Sequence, residues 1–221
     1  MGMHHYIKSL SDLENIYRCP GKFKYEEHSV AAHSFKVTQI AQFLGTVEER
    51  EGSEINWRRL YEKALNHDYT ELFIGDIKTP VKYADPALRE HLANVEESMT
   101  QSFIYNEIPT EYRAIYTKRL KEGKDETLEG KILSVADKID LLYESFGEIQ
   151  KGNPEKLFTE IFQESLTTIL LFKSMNSVQY FLKSVLPDLL SGDFTNQEEL
   201  HTLSKQILSD HEVEQTFAID I

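Results

Sequence analysis

Apolar residues recur at separations of three and four along almost the whole chain, and that spacing restricts it to helices. Val30, His33, Val37, Ile40, Ala41 and Leu44 share one helical face, with Gly45 as the expected stop. Asn56 is placed to cap a second helix running through Trp57, Leu60, Tyr61, Ala64 and Leu65 to the pair His67-Asp68. An irregular stretch follows from Gly75 to Tyr83, where Val81 and its neighbours offer at most a short extended piece. Further helices are expected over Pro86 to Tyr105, Pro109 to near Gly123, Glu126 to Gln150, Glu155 to Lys173, Ser177 to Leu190 and Asn196 to Glu214. Ten glycines and six prolines in 221 residues are too few for the many tight turns of a sandwich or barrel. No repeat, low-complexity tract or linker interrupts the pattern. The expected fold is all-α, with residues 1–221 in one domain.

Charge limits the partners. With 24 Lys and Arg against 37 Asp and Glu the net charge is −13, a surface that repels polyanions, so no nucleic-acid partner is expected. A small anionic substrate needs cations concentrated at its site. The single cysteine, Cys19, allows no internal disulfide and fits a reducing compartment. No apolar run has the length of a membrane span, and the first residues lack a signal-peptide core, so the expectation is a cytoplasmic protein with no membrane partner.

Four ionisable residues stand where a helix should present apolar ones. His33 lies on the buried stripe of its helix, His67 and Asp68 close the next, and Asp137 sits among Leu133, Ala136 and Leu141. Burying a carboxylate is costly unless it is paired or binds a metal. Two imidazoles and two carboxylates make a ligand set for a divalent ion. Satisfied polar residues in a structural helical protein are the alternative at this stage. Glu71, three residues after Asp68, is placed to exchange a proton at the same rim, or is a solvated helix-start residue. Asp76 belongs to the irregular stretch, where an Asp commonly caps a turn. Arg18 and Lys82 are surface residues by default and phosphate-binding cations in a functional reading. His28, His91, His201 and His211 fall outside the pattern, and the aromatic residues Phe158, Phe162, Phe172, Tyr180 and Phe181 read as core or dimer interface.

The order His33, His67-Asp68, Asp137 resembles the signature of the HD phosphohydrolase superfamily. One branch is closer. Leu13 to Pro20, Glu27 to Ser34, His67-Asp68-Tyr69-Thr70-Glu71, the loop Gly75-Asp76-Ile77-Lys78-Thr79-Pro80-Val81-Lys82-Tyr83, and Ala136 to Asp140 with Glu144 and Glu148 are similar to the YfbR-like bacterial 5′-deoxynucleotidase family. The resemblance covers about residues 10 to 150, where it places the metal and substrate site of a single HD domain, with the helices of 151–221 packing on it. It implies an all-α HD fold and a homodimer that hydrolyses nucleoside 5′-monophosphates to nucleoside and phosphate. It implies metal ligation by His33, His67, Asp68 and Asp137, phosphate orientation by Arg18, proton transfer by Glu71 or Asp76, and substrate contact by Asp76, Ile77, Lys78, Thr79 and Lys82, beside Arg18, Cys19, His33, Asp68 and Asp137. Imidazole with carboxylate favours Mn²⁺, Co²⁺, Fe²⁺ or Zn²⁺ over Ca²⁺. Cys19 stands where the family has tryptophan, and its smaller side chain is expected to loosen selection against the ribose 2′-hydroxyl. Rival readings are an HD-type pyrophosphohydrolase or triphosphohydrolase and a non-catalytic module that senses a nucleotide or metal.

Overall fold

The computed structural model describes residues 3–77, 81, 84–192, 194 and 196–211. Among these the chain is helical with no strand, an all-α fold, apart from one isolated antiparallel bridge between Tyr17 and Ser29. The helices are α1 (His4–Leu13), α2 (Val30–Arg50), α3 (Trp57–Asn66), α4 (Glu71–Ile74), α5 (Pro86–Glu107), α6 (Arg113–Lys121), α7 (Leu128–Gln150), α8 (Lys156–Leu170), α9 (Asn176–Tyr180), α10 (Leu186–Leu190) and α11 (Gln197–Asp210). Side chains start several of them. Ser29 accepts from the Ala32 amide, Asn56 from Arg59, Thr127 from Gly130, and Asp85 from Ala87 with Pro86 behind it, each satisfying an amide that has no partner within its helix.

The apolar stripes meet in two cores. In the larger, α7 packs on α2, α3 and α8, burying Val37, Leu44, Leu60, Ile132, Leu142, Phe162 and Leu166. Each such side chain contributes about 1.5–3 kcal/mol. The smaller core gathers Leu13, Val30, Tyr69, Ile104, Ile108 and Leu120. Ala64 belongs to the first core and Tyr69 to the second, so the residues between them, His67 and Asp68 included, run along the seam. Phe158, Phe162 and Phe181 are core, whereas Tyr180 is 46% exposed and meets Phe43 edge-on.

Two expectations on helix ends are corrected. Gly45 does not stop α2, which continues to Arg50; a Cβ at Gly45 would lie 3.0 Å from both Leu60 and Trp57, so the glycine serves the close crossing of α3. Ser177 to Leu190 is not one helix. A π-helical turn, Phe181–Val185, separates α9 from α10 just before Pro187, whose ring has no N–H to continue the ladder.

Gly130, in the first turn of α7, is a tighter case. A Cβ there would lie 2.0 Å from the Asp125 Oδ1 and 2.5 Å from its carbonyl oxygen. Helix propensity alone favours Gly130→Ala. The overlap reverses the sign, and denaturant unfolding is expected to show a loss of about 1–3 kcal/mol. Equal or greater stability would refute the packing argument.

Candidate active site

His33 is fully buried on α2. Its Nδ1 meets Asp140 Oδ2 at 2.6 Å, which aims Nε2 at Asp68 Oδ2 (3.3 Å) and Asp137 Oδ1 (3.2 Å). His67, the residue that ends α3, donates its Nδ1–H to the Ala64 carbonyl at 2.8 Å. Its Nε2 therefore turns a lone pair toward His33 Nε2, 3.2 Å away, and Asp68 Oδ2, 3.4 Å away. The ligand atoms of His33, His67 and Asp68 all lie within 4.8 Å of one another, close enough for one metal ion. Asp137 reaches the set through its Oδ1 contact with His33. Both imidazoles are oriented through Nδ1, by a carboxylate and by a carbonyl, as metal-binding histidines generally are. The donor set fits a divalent ion.

The electrostatics point the same way. Burial and Arg18 oppose a charge on His33, yet hydrogen bonds to Asp137, Asp140 and Asp68 raise its pKa to about 10. Burial lowers that of His67. Burial alone would raise Asp137, but Lys124 and His33 hold it well below the usual carboxylate range. The carboxylates thus keep a cation at Nε2, and without a metal that cation is a proton. Ligation must displace it. Metal uptake near pH 8 is therefore expected to release about one proton, read by calorimetry in buffers of different ionisation enthalpy. Heats independent of buffer would contradict this.

Arg18 comes from a loop closed by the Tyr17–Ser29 bridge and by its own amide donating to the His28 carbonyl at 2.9 Å. Only 8% exposed, it points Nη1 toward Asp68 (3.4 Å) and Nε toward Glu144 (3.4 Å). Burial disfavours the guanidinium charge, but Glu144, Asp68, Asp137 and Glu71 together hold it firmly protonated. Glu71, in the first turn of α4, is 8% exposed, which is not a solvated helix start. Cys19 adopts a left-handed backbone, φ 52°, and donates its amide to Asp76 Oδ2 at 2.8 Å. Such a conformation is unfavourable outside glycine and is held here by a contact between two loops at the site. Asp76 is therefore tied to a segment remote in sequence. Ile77 is half-buried beside it. Lys78, Thr79 and Lys82 lie outside the described residues.

The family described as YfbR-like 5′-deoxynucleotidase matches residues 5–189. The chain belongs to that family. A 5′-deoxynucleotidase of Klebsiella pneumoniae is 27% identical over 200 residues, covering 90% of this chain and 98% of the relative. The 5′-deoxynucleotidase YfbR of Escherichia coli is 26% identical over the same shares. A crystal structure of an HD-domain phosphohydrolase from Listeria innocua is 66% identical and superposes with a TM-score of 0.90 over 95% of this chain and all of the other. This YfbR-like protein is accordingly a metal-dependent nucleotide phosphohydrolase of the HD type and a phosphoric monoester hydrolase. No helix among its described residues is long and apolar enough to cross a membrane.

Sequence reasoning included Asp140, Glu144 and Glu148 in the family resemblance but gave them, and Lys124, no role of their own. On α7, Asp137, Asp140, Glu144 and Glu148 form one stripe, all buried. Asp140 orients His33 and takes Lys36 Nζ at 2.8 Å. Glu144 backs Arg18, and Glu148 accepts the Tyr25 and Glu26 amides, fixing the same loop. Their spacing of three and four on an apolar helix was the available signal. Lys124, 2.5 Å from Asp137 Oδ2, gave none.

Proposed function

We propose that this protein removes the 5′-phosphate from nucleoside monophosphates, with a divalent ion held by His33, His67, Asp68 and Asp137. The observation that carries the reading is the arrival of Arg18, from a loop far away in sequence, at the carboxylate of Asp68 inside a four-residue ligand set. When bound, the ion supplies a Lewis acid that activates water and polarises a phosphoryl oxygen. Mn²⁺, Co²⁺, Fe²⁺ and Zn²⁺ suit the mixed donors. Arg18 orients the phosphoryl group and offsets its charge, a local cation in a chain of net charge −13.

Glu71 manages the proton, taking it from the attacking water or giving it to the leaving 5′-oxygen. Asp76 shares the rim but gives one oxygen to the Cys19 amide, so its main work is to hold the Arg18 loop against the substrate loop. Ile77, Lys78, Thr79 and Lys82 continue that loop as substrate contacts. The small Cys19 side chain, beside the sugar, leaves room for a 2′-hydroxyl, so both ribo- and deoxyribonucleotides are substrates. We take the enzyme to be a homodimer, as the resemblance implies, and cytoplasmic, as the lone cysteine fits.

A panel of deoxy- and ribonucleoside mono-, di- and triphosphates tests this. The expected product is inorganic phosphate from both kinds of monophosphate. Pyrophosphate or triphosphate released from the longer substrates would replace the reading with that of a nucleotide pyrophosphohydrolase or triphosphohydrolase, and binding without turnover would favour a sensor.

A further inference from the structure

Lys63 is fully buried on α3, and the mechanism above does not use it. A lysine is rarely buried without a reason that offsets its desolvation. Its Nζ donates to the Gly123 carbonyl at 2.7 Å and to Asp125 Oδ2 at 2.8 Å. Asp125 Oδ2 also takes Arg59 at 3.3 Å, while Oδ1 accepts from the Thr127 amide at 3.1 Å and from its hydroxyl. Gly130 supplies the space against which Asp125 lies. Residues 123 and 125 are thus clasped to α3 and to the start of α7.

Lys124 is the residue between them. Its ammonium stands 2.5 Å from Asp137 Oδ2, and the other oxygen of that carboxylate lies 3.2 Å from His33 Nε2. One carboxylate therefore joins the ammonium to the ligand set. Asp68 and Arg18 are near enough to act on its charge. The side chain is 46% exposed, so it runs from the surface to the ligand set, and its ammonium has N–H donors beyond the one Asp137 takes. Lys36 is a different case, since its contact is with Asp140, outside the ligand set.

We propose that Lys124 is a phosphate-binding residue of this enzyme, its ammonium contacting a non-bridging oxygen of the substrate's phosphoryl group together with Arg18, and that the Lys63 clasp positions it. The inference rests on the phosphatase reading of the site.

The test measures binding of inorganic phosphate to Mn²⁺-loaded wild type and to Lys124→Ala, Lys124→Gln, Lys124→Arg and Lys63→Met, alongside bound Mn²⁺ and steady-state kinetics. Lys124→Ala and Lys124→Gln should weaken phosphate binding and raise KM by about 10- to 100-fold, the scale of one hydrogen bond to a charged group. Mn²⁺ content should be unchanged, and Lys124→Arg should recover part of the loss. Lys63→Met should weaken phosphate binding less, and not at all in a Lys124→Ala background. Should Lys63→Met fail to fold, the Lys124 series decides alone. Unchanged phosphate affinity in Lys124→Ala would overturn the proposal. So would a loss that follows loss of Mn²⁺, which would make Lys124 a support for Asp137 only. Phosphate binding is read without turnover, so a wild type that binds phosphate but hydrolyses nothing would refute the phosphatase reading and still decide the role of Lys124.

Discussion

Asp68→Ala is expected to lower phosphate release by at least about 10²–10³-fold, the range for losing one preorganised charge-stabilising group. Asp68 Oδ2 lies 3.3 Å from His33 Nε2, 3.4 Å from His67 Nε2 and 3.4 Å from Arg18 Nη1. One oxygen thus faces both the imidazole nitrogens proposed to hold the ion and the guanidinium proposed to orient the phosphate. Removing it takes a ligand from the set and one of the carboxylates that hold Arg18, whose Nε contact with Glu144 remains. Bound metal should fall together with activity while the far-ultraviolet circular dichroism of the helices stays. A structural helical protein predicts the opposite, with no bound metal to lose and only ordinary repacking. A variant that keeps both its metal and its rate would remove Asp68 from the site.

Glu71→Gln separates chemistry from binding. The substitution keeps the shape of a side chain that is 8% exposed at the start of α4 and removes its charge, and with it its ability to exchange a proton. The expected loss in kcat is about 10²–10⁴-fold, the span of general acid–base catalysis, with metal content and phosphate affinity near wild type. Loss of metal in parallel would recast Glu71 as a support for the ligands. Wild-type kcat would transfer the proton step to Asp76, whose second oxygen is not committed to the Cys19 amide.

The residues that were legible in the sequence were those whose placement broke a rule. His33 on an apolar stripe and Asp137 among leucines are anomalies of burial, and the structure sets their atoms 3.2 Å apart. The helices were legible because their packing rests on the same periodicity. Gly45 misled, and Pro187, inside the expected helix Ser177 to Leu190, was passed over. A glycine in a helical pattern serves either a stop or a close crossing, and only the partner helix decides which. A proline near a helix end shows that the ladder breaks but not that a π-turn absorbs the break. Arg18 could be named but not placed, because the Tyr17–Ser29 bridge and the carboxylate of Glu148 that hold its loop are tertiary facts. Lys63 and Lys124 were invisible. A lysine on a helix or in a charged loop reads as solvated, and what distinguishes these two is a buried clasp across 60 residues and a contact with Asp137.

If a metal held by His33, His67, Asp68 and Asp137 serves phosphomonoester hydrolysis, activity must follow its occupancy. The most direct test strips the protein with a chelator, returns Mn²⁺ or Co²⁺ in increments, and follows bound metal and phosphate release from a deoxyribonucleoside 5′-monophosphate in the same samples. Release should disappear with the metal and return in proportion to occupancy. Release that persists in the stripped protein, or that stays absent when the site is refilled, would contradict this role of the metal.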